Sequence, residues 1–259
     1  MRAIITGAAT GIGRATAFAL NADCKQRTGE PARLVLADIA AERLAETARD
    51  LRAEGATVET VMVDLADPAS AQTVVDAAQR AMGGLDALIS NAGIIRLVSL
   101  LDMEVADYDR YFAINTRPTW LLAKAAYPML KEARGSIVAV ASVAAHTPYP
   151  SLGAYSATKA ALLMFIRQMA FDWGPVGIRA NTISPGSTHS EIGVNAGQAR
   201  PAADRVGNNP LGRIADPEDQ AAVIAFLVSP AARHINGADI AVEGGALTQN
   251  VSAMARVTR

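Results

Sequence analysis

Tyr155 and Lys159 stand four residues apart in the segment Leu152-Gly-Ala-Tyr-Ser-Ala-Thr-Lys, and Ser142 lies thirteen residues before the tyrosine at the end of an apolar run that starts at Ser136. On a helix, a spacing of four sets phenol and ammonium on one face. A phenol with an ordinary pKa of about 10 is a poor base at neutral pH unless a nearby cation favours its ionised form. Lys159 offers that cation, and a serine hydroxyl can hold an alcohol or carbonyl oxygen where the phenol exchanges a proton with it. The chemistry open to this trio is proton transfer at a hydroxyl or carbonyl carbon. The same spacing also arises where a half-buried tyrosine sits beside a solvated lysine, so the surrounding elements must decide.

Short Val, Ile and Leu runs alternate with helical patterns from end to end, which is the pattern of repeated βαβ units. Strands are expected near 3–6, 33–37, 58–63, 85–90, 136–141, 178–183 and 239–242, and helices over 12–21, 40–53, 68–82, 104–132, 153–173 and 217–228. The expected fold is α/β: one doubly wound, Rossmann-type sheet of seven parallel strands with helices on both faces, forming a single domain over 1–259. The composition agrees, since 51% of the chain is hydrophobic but only 5% is aromatic, as suits strands covered on both faces. A net charge of −1 gives no bias toward nucleic acid or an anionic membrane. Three histidines and the single Cys24 argue against a disulfide framework or a metal site. A strand that begins within three residues of Met1 leaves no room for a signal peptide, and no apolar stretch approaches the roughly 20 residues of a membrane span, so a cytosolic location is expected.

Two connections look long. Residues 23–32 are polar and read as a solvated loop at the edge of the sheet away from ligands, despite Lys25 and Arg27. Residues 187–213 leave from the edge where ligands bind and read as a substrate loop.

The first strand runs into Thr6-Gly7-Ala-Ala-Thr10-Gly11-Ile12-Gly13 and then a helix. Glycines let backbone approach a pyrophosphate, and the helix N-terminus offers N–H donors, although a lone glycine-rich turn is also ordinary turn chemistry. The second strand ends in Asp38-Ile39; a carboxylate there can accept hydrogen bonds from both ribose hydroxyls of an adenosine and repels a 2′-phosphate, which favours NAD over NADP. Asp64-Leu65 ends the third strand within reach of an adenine, and Asn91-Ala92-Gly93 ends the fourth, where a small pair lets the chain pass close to a ribose; either could instead cap or turn.

With these pieces in order, the chain resembles the classical short-chain dehydrogenase/reductase family over nearly its full length. Thr6 to Gly13 is similar to the family's cofactor glycine motif, Asn91-Ala92-Gly93 to its Asn-Asn-Ala-Gly turn, and Asn181 with Pro185-Gly186 to the segment around and after its sixth strand. Asn115, Ser142, Tyr155 and Lys159 fall where its catalytic tetrad is expected. Three departures stand out: Ser90 replaces the first asparagine of the turn, Pro118 follows Asn115 within the helix, and Ser190 takes the place of a threonine that touches the nicotinamide carboxamide, with Thr188 as a backbone contact.

The resemblance implies hydride transfer between a nicotinamide and a secondary alcohol or ketone. Tyr155 would be the acid/base, and Lys159 its activator and a ligand of the nicotinamide ribose. Ser142 would orient the substrate oxygen, and Asn115 would relay protons through its main chain and a water. Other readings are a silent NAD(H) sensor, nucleotide-sugar epimerase or dehydratase chemistry, and an NADPH-dependent 3-ketoacyl reductase; the intact tetrad, the short tail after Gly245 and Asp38 respectively weigh against them. Residues expected to face the pocket are Arg96, Ala144, Ala145, His146, Tyr149, Leu152 and part of 189–195. The long apolar helices imply a homo-oligomer, dimer or tetramer, to which residues 249–259 could contribute.

Overall fold

The computed structural model describes residues 1–190 and 209–248. Seven strands form one parallel sheet: β1 (Arg2–Thr6), β2 (Arg33–Asp38), β3 (Thr57–Met62), β4 (Ala87–Ser90), β5 (Ser136–Val140), β6 (Arg179–Pro185) and β7 (Asp239–Val242). Their order across the sheet is β3-β2-β1-β4-β5-β6-β7. The chain therefore winds outward from β1 in one direction as far as β3, returns to β1's other side at β4, and winds the opposite way. The reversal leaves a crevice outside the carboxyl ends of β1 and β4, where ligands of such sheets bind. The central strands β4 and β5 are buried at every position, which explains their unbroken apolar runs.

Helices cover both faces. On one, α1 (Gly11–Thr28), α2 (Ala41–Ala53) and α7 (Pro217–Val228) bring Leu20, Leu44, Leu51, Ile224 and Leu227 onto Ile5, Leu36, Ile89 and Val138. On the other, α3 (Ser70–Met82), α5 (Arg117–Ala133) and α6 (Tyr155–Trp173) pack Val74, Leu122, Leu130, Leu162 and Ile166 onto Ile4, Val35, Leu88 and Ile137. The start of α7 carries a capping box in which Asp216 and Asp219 satisfy each other's backbone N–H, with Pro217 in the first turn. None of the described helices is long and apolar enough to cross a membrane.

Two expectations are corrected. Residues 23–28 are not loop but the last turns of α1, which leaves only a short connection to β2. Cys24 faces the core, Arg27 pairs with Asp23 one turn back, Asn21 accepts the N–H of Ala32, and Gly29 at φ 77° closes the helix with its N–H on the Lys25 carbonyl. The polar run is the solvated face of an amphipathic helix. The predicted helix over 104–132 is two helices, α4 (Val105–Asn115) and α5, broken at Thr116. Pro118 has no N–H for the helical ladder and its ring crowds the carbonyl of Ile114, so the helix stops and restarts there. The predicted substrate loop lies partly, and the tail 249–259 wholly, outside the described residues.

Candidate active site

The glycine turn is built by close approach. Gly7 and Gly11 have φ of +64° and +53°, and a Cβ on Gly13 would run into the Gly7 carbonyl. The turn is locked to the end of β4. Asn91 Nδ2 donates to the carbonyls of Thr6 and Gly7 at 3.0 Å each. The buried Thr6 hydroxyl accepts the N–H groups of Asn91 at 3.0 Å and Ala92 at 3.2 Å. Asn91 is thus turned onto the glycine turn, and Thr6, the first residue of the motif, braces it from the end of β1 through its hydroxyl. No acidic residue occupies the first turn of α1, and Thr10 makes no side-chain cap, so this helix end keeps N–H donors for an anion. Ile12 is partly buried against the core below the turn.

Asp38 ends β2 at the same edge. One oxygen accepts Ala9 N–H and the other Ala40 N–H, both at 3.0 Å. These bonds hold the carboxylate beside the glycine turn and leave lone pairs for further donors. They also make Asp38 the start of an Asx turn ahead of α2. Ile39 beside it is exposed, an apolar surface at the mouth of the crevice. Asp64 is exposed and accepts Ala66 N–H at 2.8 Å, while Leu65 is buried under α3.

The proton-transfer residues gather at the carboxyl end of β5. Ser142 follows that strand and caps a short 3-10 turn over Val143–Ala145, its Oγ accepting Ala144 N–H at 3.1 Å. Tyr155 opens α6 with its phenol close enough to the Ser142 hydroxyl to feel it electrostatically. Lys159, 3% exposed, donates to the Val140 carbonyl at 2.8 Å, and its Nζ lies 5.8 Å from the Tyr155 ring centre. Gly93 makes room for this approach, since a Cβ there would stand 3.4 Å from the ammonium and 3.3 Å from Asn115 Oδ1. Asn115 uses its side chain on structure: Oδ1 accepts Ile94 N–H at 2.7 Å, and Nδ2 donates to the Ile94 carbonyl and to Thr158. Ser90, the departure in the turn, bonds Thr119 at 2.7 Å and so ties β4 to α5.

Burial dominates the electrostatics. It pushes the Tyr155 phenol above its usual value; the nearby Ser142 hydroxyl pulls it partway back and Tyr111 adds to the rise. The Lys159 ammonium is lowered to about 8, again by burial. An apolar wall of Tyr111, Ala144, Leu152 and Ala154, backed by Ile94, Ile95 and Met103, surrounds the phenol.

At the end of β6, Pro185 is buried, and Gly186 approaches Glu243 too closely for a side chain, its N–H donating to the Val242 carbonyl. Thr188 accepts from the buried Gln220, a residue not foreseen. Ser190 brings its Cβ to 3.5 Å from the position a Cβ would take on Gly11, so this segment faces the glycine turn. Two expected pocket residues have side-chain partners away from the phenol: Arg96 pairs with Asp107, and His146 reaches Asp239. The concavity bounded by Phe112, Trp120 and Phe165 lies on the outer side of α4, α5 and α6 and holds none of the proton-transfer residues.

A nicotinamide dinucleotide suits these residues. The glycine turn admits backbone where a side chain could not fit, the free helix end suits a pyrophosphate, and Asp38 suits a ribose. Gly93, with no side chain, leaves room beside the Lys159 ammonium.

Comparison with known proteins gives the same reading. A family model described as enoyl-(acyl carrier protein) reductase matches residues 7–247. D-threitol dehydrogenase of Mycolicibacterium smegmatis is 36% identical over 245 residues, covering 94% of this chain and 91% of its own. A 2-(S)-hydroxypropyl-CoM dehydrogenase of Xanthobacter autotrophicus is 34% identical over 250 residues, with 93% and 94% covered. Among solved structures, a 7α-hydroxysteroid dehydrogenase complexed with NADH and 7-oxo glycochenodeoxycholic acid superimposes with a TM-score of 0.85 at 28% identity, covering 94% of this chain and 92% of that one. A match that begins inside the glycine turn and runs past the last strand, in company with dehydrogenases aligned over almost the whole chain, means that the protein is an oxidoreductase of the classical short-chain dehydrogenase/reductase family.

Proposed function

We propose that this chain is an NAD-dependent dehydrogenase of secondary alcohols, run in reverse as a ketone reductase, with residues 1–259 acting as one dinucleotide-binding and catalytic domain. The observation that carries this reading is the grouping of Ser142 with the buried Tyr155 and Lys159 at the carboxyl end of β5, the same sheet edge that carries the glycine turn and Asp38. When bound, the nicotinamide supplies a hydride acceptor or donor for the substrate carbinol carbon. Tyr155 takes the hydroxyl proton in oxidation and returns it in reduction. Ser142 holds the substrate oxygen within reach of the phenol, and the apolar wall around Tyr155 keeps competing water away. Lys159 stabilises the phenolate through space and binds the nicotinamide ribose. Asn115 braces the turn after β4, and its main chain, at the break before α5, passes protons between Lys159 and solvent. Thr10, Gly11, Ile12, Asn91, Ala92, Pro185, Gly186, Thr188 and Ser190 line the cofactor path.

The test is a spectrophotometric screen of secondary alcohols at 340 nm with NAD and with NADP. Turnover with NAD is the expected result, and absence of any signal with either cofactor across the panel sinks the reading. Asp38 sets the preference in this account. Asp38→Asn loses the charge and keeps one of the two backbone contacts, to Ala9 or to Ala40, and should shift the NAD-to-NADP ratio of kcat/KM toward NADP by about 10- to 100-fold, the worth of a hydrogen bond to a charged group. An unchanged ratio would remove Asp38 from the specificity argument.

The chain also works as a homo-oligomer in this proposal. Trp120 on α5 and Met164, Phe165 and Phe171 on α6 are exposed, Phe171 by 80%, which is a large apolar area for a surface facing water. Sedimentation should show a dimer or tetramer, with Phe165→Glu shifting it toward monomer; a monomeric parent protein contradicts this.

A further inference from the structure

Outside the proton-transfer group, the structure holds a second cluster of polar side chains. Asp239, the first residue of edge strand β7, has a side chain only 7% exposed. Its carboxylate accepts from Thr182 Oγ1 at 2.6 Å, from Ser184 Oγ at 2.9 Å to each oxygen, and from His146 Nε2 at 2.8 Å. Because a carboxylate only accepts, the His146 proton sits on Nε2. A carboxylate held by hydroxyls and an imidazole is a costly choice for an edge strand, where an apolar side chain would pack with less desolvation.

What the cluster joins gives it a purpose. His146 closes the 3-10 turn that Ser142 opens, its N–H on the Val143 carbonyl. The ladder between β5 and β6 reaches Ala141, whose N–H meets the Ile183 carbonyl at 2.8 Å, so the turn from Ser142 onward has left the sheet. Ser184 immediately precedes Pro185 and Gly186. The carboxylate, together with Ser184 Oγ lying 3.2 Å from His146 Nε2, therefore ties the far end of the Ser142 turn, 93 residues away in sequence, to the strand end that leads into the Pro185–Gly186 segment.

We propose that Asp239 is a positioning residue that keeps the Ser142 hydroxyl in register with the Pro185–Gly186 side of the site, and that His146 is the arm through which it holds the turn. The inference rests on the dehydrogenase reading for what the register serves, and on the geometry alone for the clamp. Thr182 and Ser184 fix the carboxylate on β6, and His146 converts that fixed point into a fixed turn.

The test uses the full-length protein with Asp239→Asn, His146→Ala and the double variant, and reads three quantities. Kinetics on the best secondary alcohol should show kcat lower by about 10- to 100-fold for each single variant, the penalty of a small misplacement of a reacting group, with KM for NAD little changed. The double variant should be no worse than the worse single one, because both remove the same clamp. Calorimetry should give an NAD Kd near that of the parent. Amide exchange followed by mass spectrometry should rise in the peptide containing Ser142 to Tyr149 and stay unchanged over Gly7 to Gly13. Additive kinetic effects, parent-like kcat in either single variant, or unaltered exchange over 142–149 would overturn the proposal. If Asp239→Asn does not fold, His146→Ala, whose side chain is a third exposed, carries the same three readouts. A parent protein inactive on every alcohol sinks the dehydrogenase reading instead, and exchange still decides whether the clamp exists.

Discussion

Replacing Tyr155 by phenylalanine lowers turnover by on the order of 10³-fold, the scale of a lost general acid/base, and leaves fold and NAD affinity in place. The ring is buried among Tyr111, Ala144 and Leu152, and phenylalanine fills nearly the same volume, so only the phenol hydroxyl is lost and the packing stays. The pH dependence adds a second check. Burial holds the Tyr155 phenol above its usual value, so near neutral pH it carries its proton and is ready to donate. Ketone reduction, which uses the acid form, should be fastest near neutral pH and decline in alkali. Alcohol oxidation, which uses the phenolate, should keep rising with pH. Steady-state rates in both directions from about pH 6 to 10, together with calorimetric NAD binding by the variant, measure this. A Tyr155→Phe variant that retains roughly a tenth or more of parental turnover would mean that another group transfers the proton.

Lys159→Met separates the two things the lysine does. Turnover should fall by about 10²- to 10⁴-fold, since the phenolate loses its cation. Stability should respond differently. Lowering the ammonium from 10.5 to about 8 corresponds to roughly 3 kcal/mol against the charged form at pH 7. Removing the lysine relieves that, but it strands the Val140 carbonyl at a cost of about 1–3 kcal/mol, so the net change at pH 7 is small. The pH slope is where the variants part. Between pH 8 and 10.5 an unfolded lysine keeps its proton and the folded one has lost it, so the unfolded state binds more protons and stability rises with pH across that window. The parent protein should gain stability from about pH 8 to 10 relative to the methionine variant in denaturant titrations without added nucleotide. Parallel pH profiles would show that Lys159 is not the buried titrating group.

Much of this was legible in the sequence because strong local signals agreed with the tertiary fold. The runs at 3–6, 87–90 and 136–140 are apolar on both faces because they lie in the middle of a parallel sheet, and such runs read as strands without knowledge of their neighbours. The spacing of Tyr155 and Lys159 survived because both lie on one helix. Residues 23–28 misled because the last turns of α1 expose Lys25, Gln26 and Arg27, and a solvated helix face looks like a loop in composition; Gly29 marked the true end. Lys159 bonds a backbone carbonyl, and every residue type has one, so no pattern could announce Val140. Asp239 and His146 meet across 93 residues, and neither carries a local trace of the other.

The break at Thr116 divides more than a helix. Seven side chains of α5 are buried, and they lie against the sheet and α3, whereas α4 buries only Tyr111, Ile114 and Asn115. In terms of local unfolding, α5 can open only with the sheet, while α4 gives up little apolar contact when it detaches. The two buried polar residues on that weakly held helix, Tyr111 and Asn115, grip the chain at Arg96 and Ile94, just after the turn that ends β4. α4, which carries the outer wall of the site, can therefore loosen while α5 and the strands that shape the crevice stay packed.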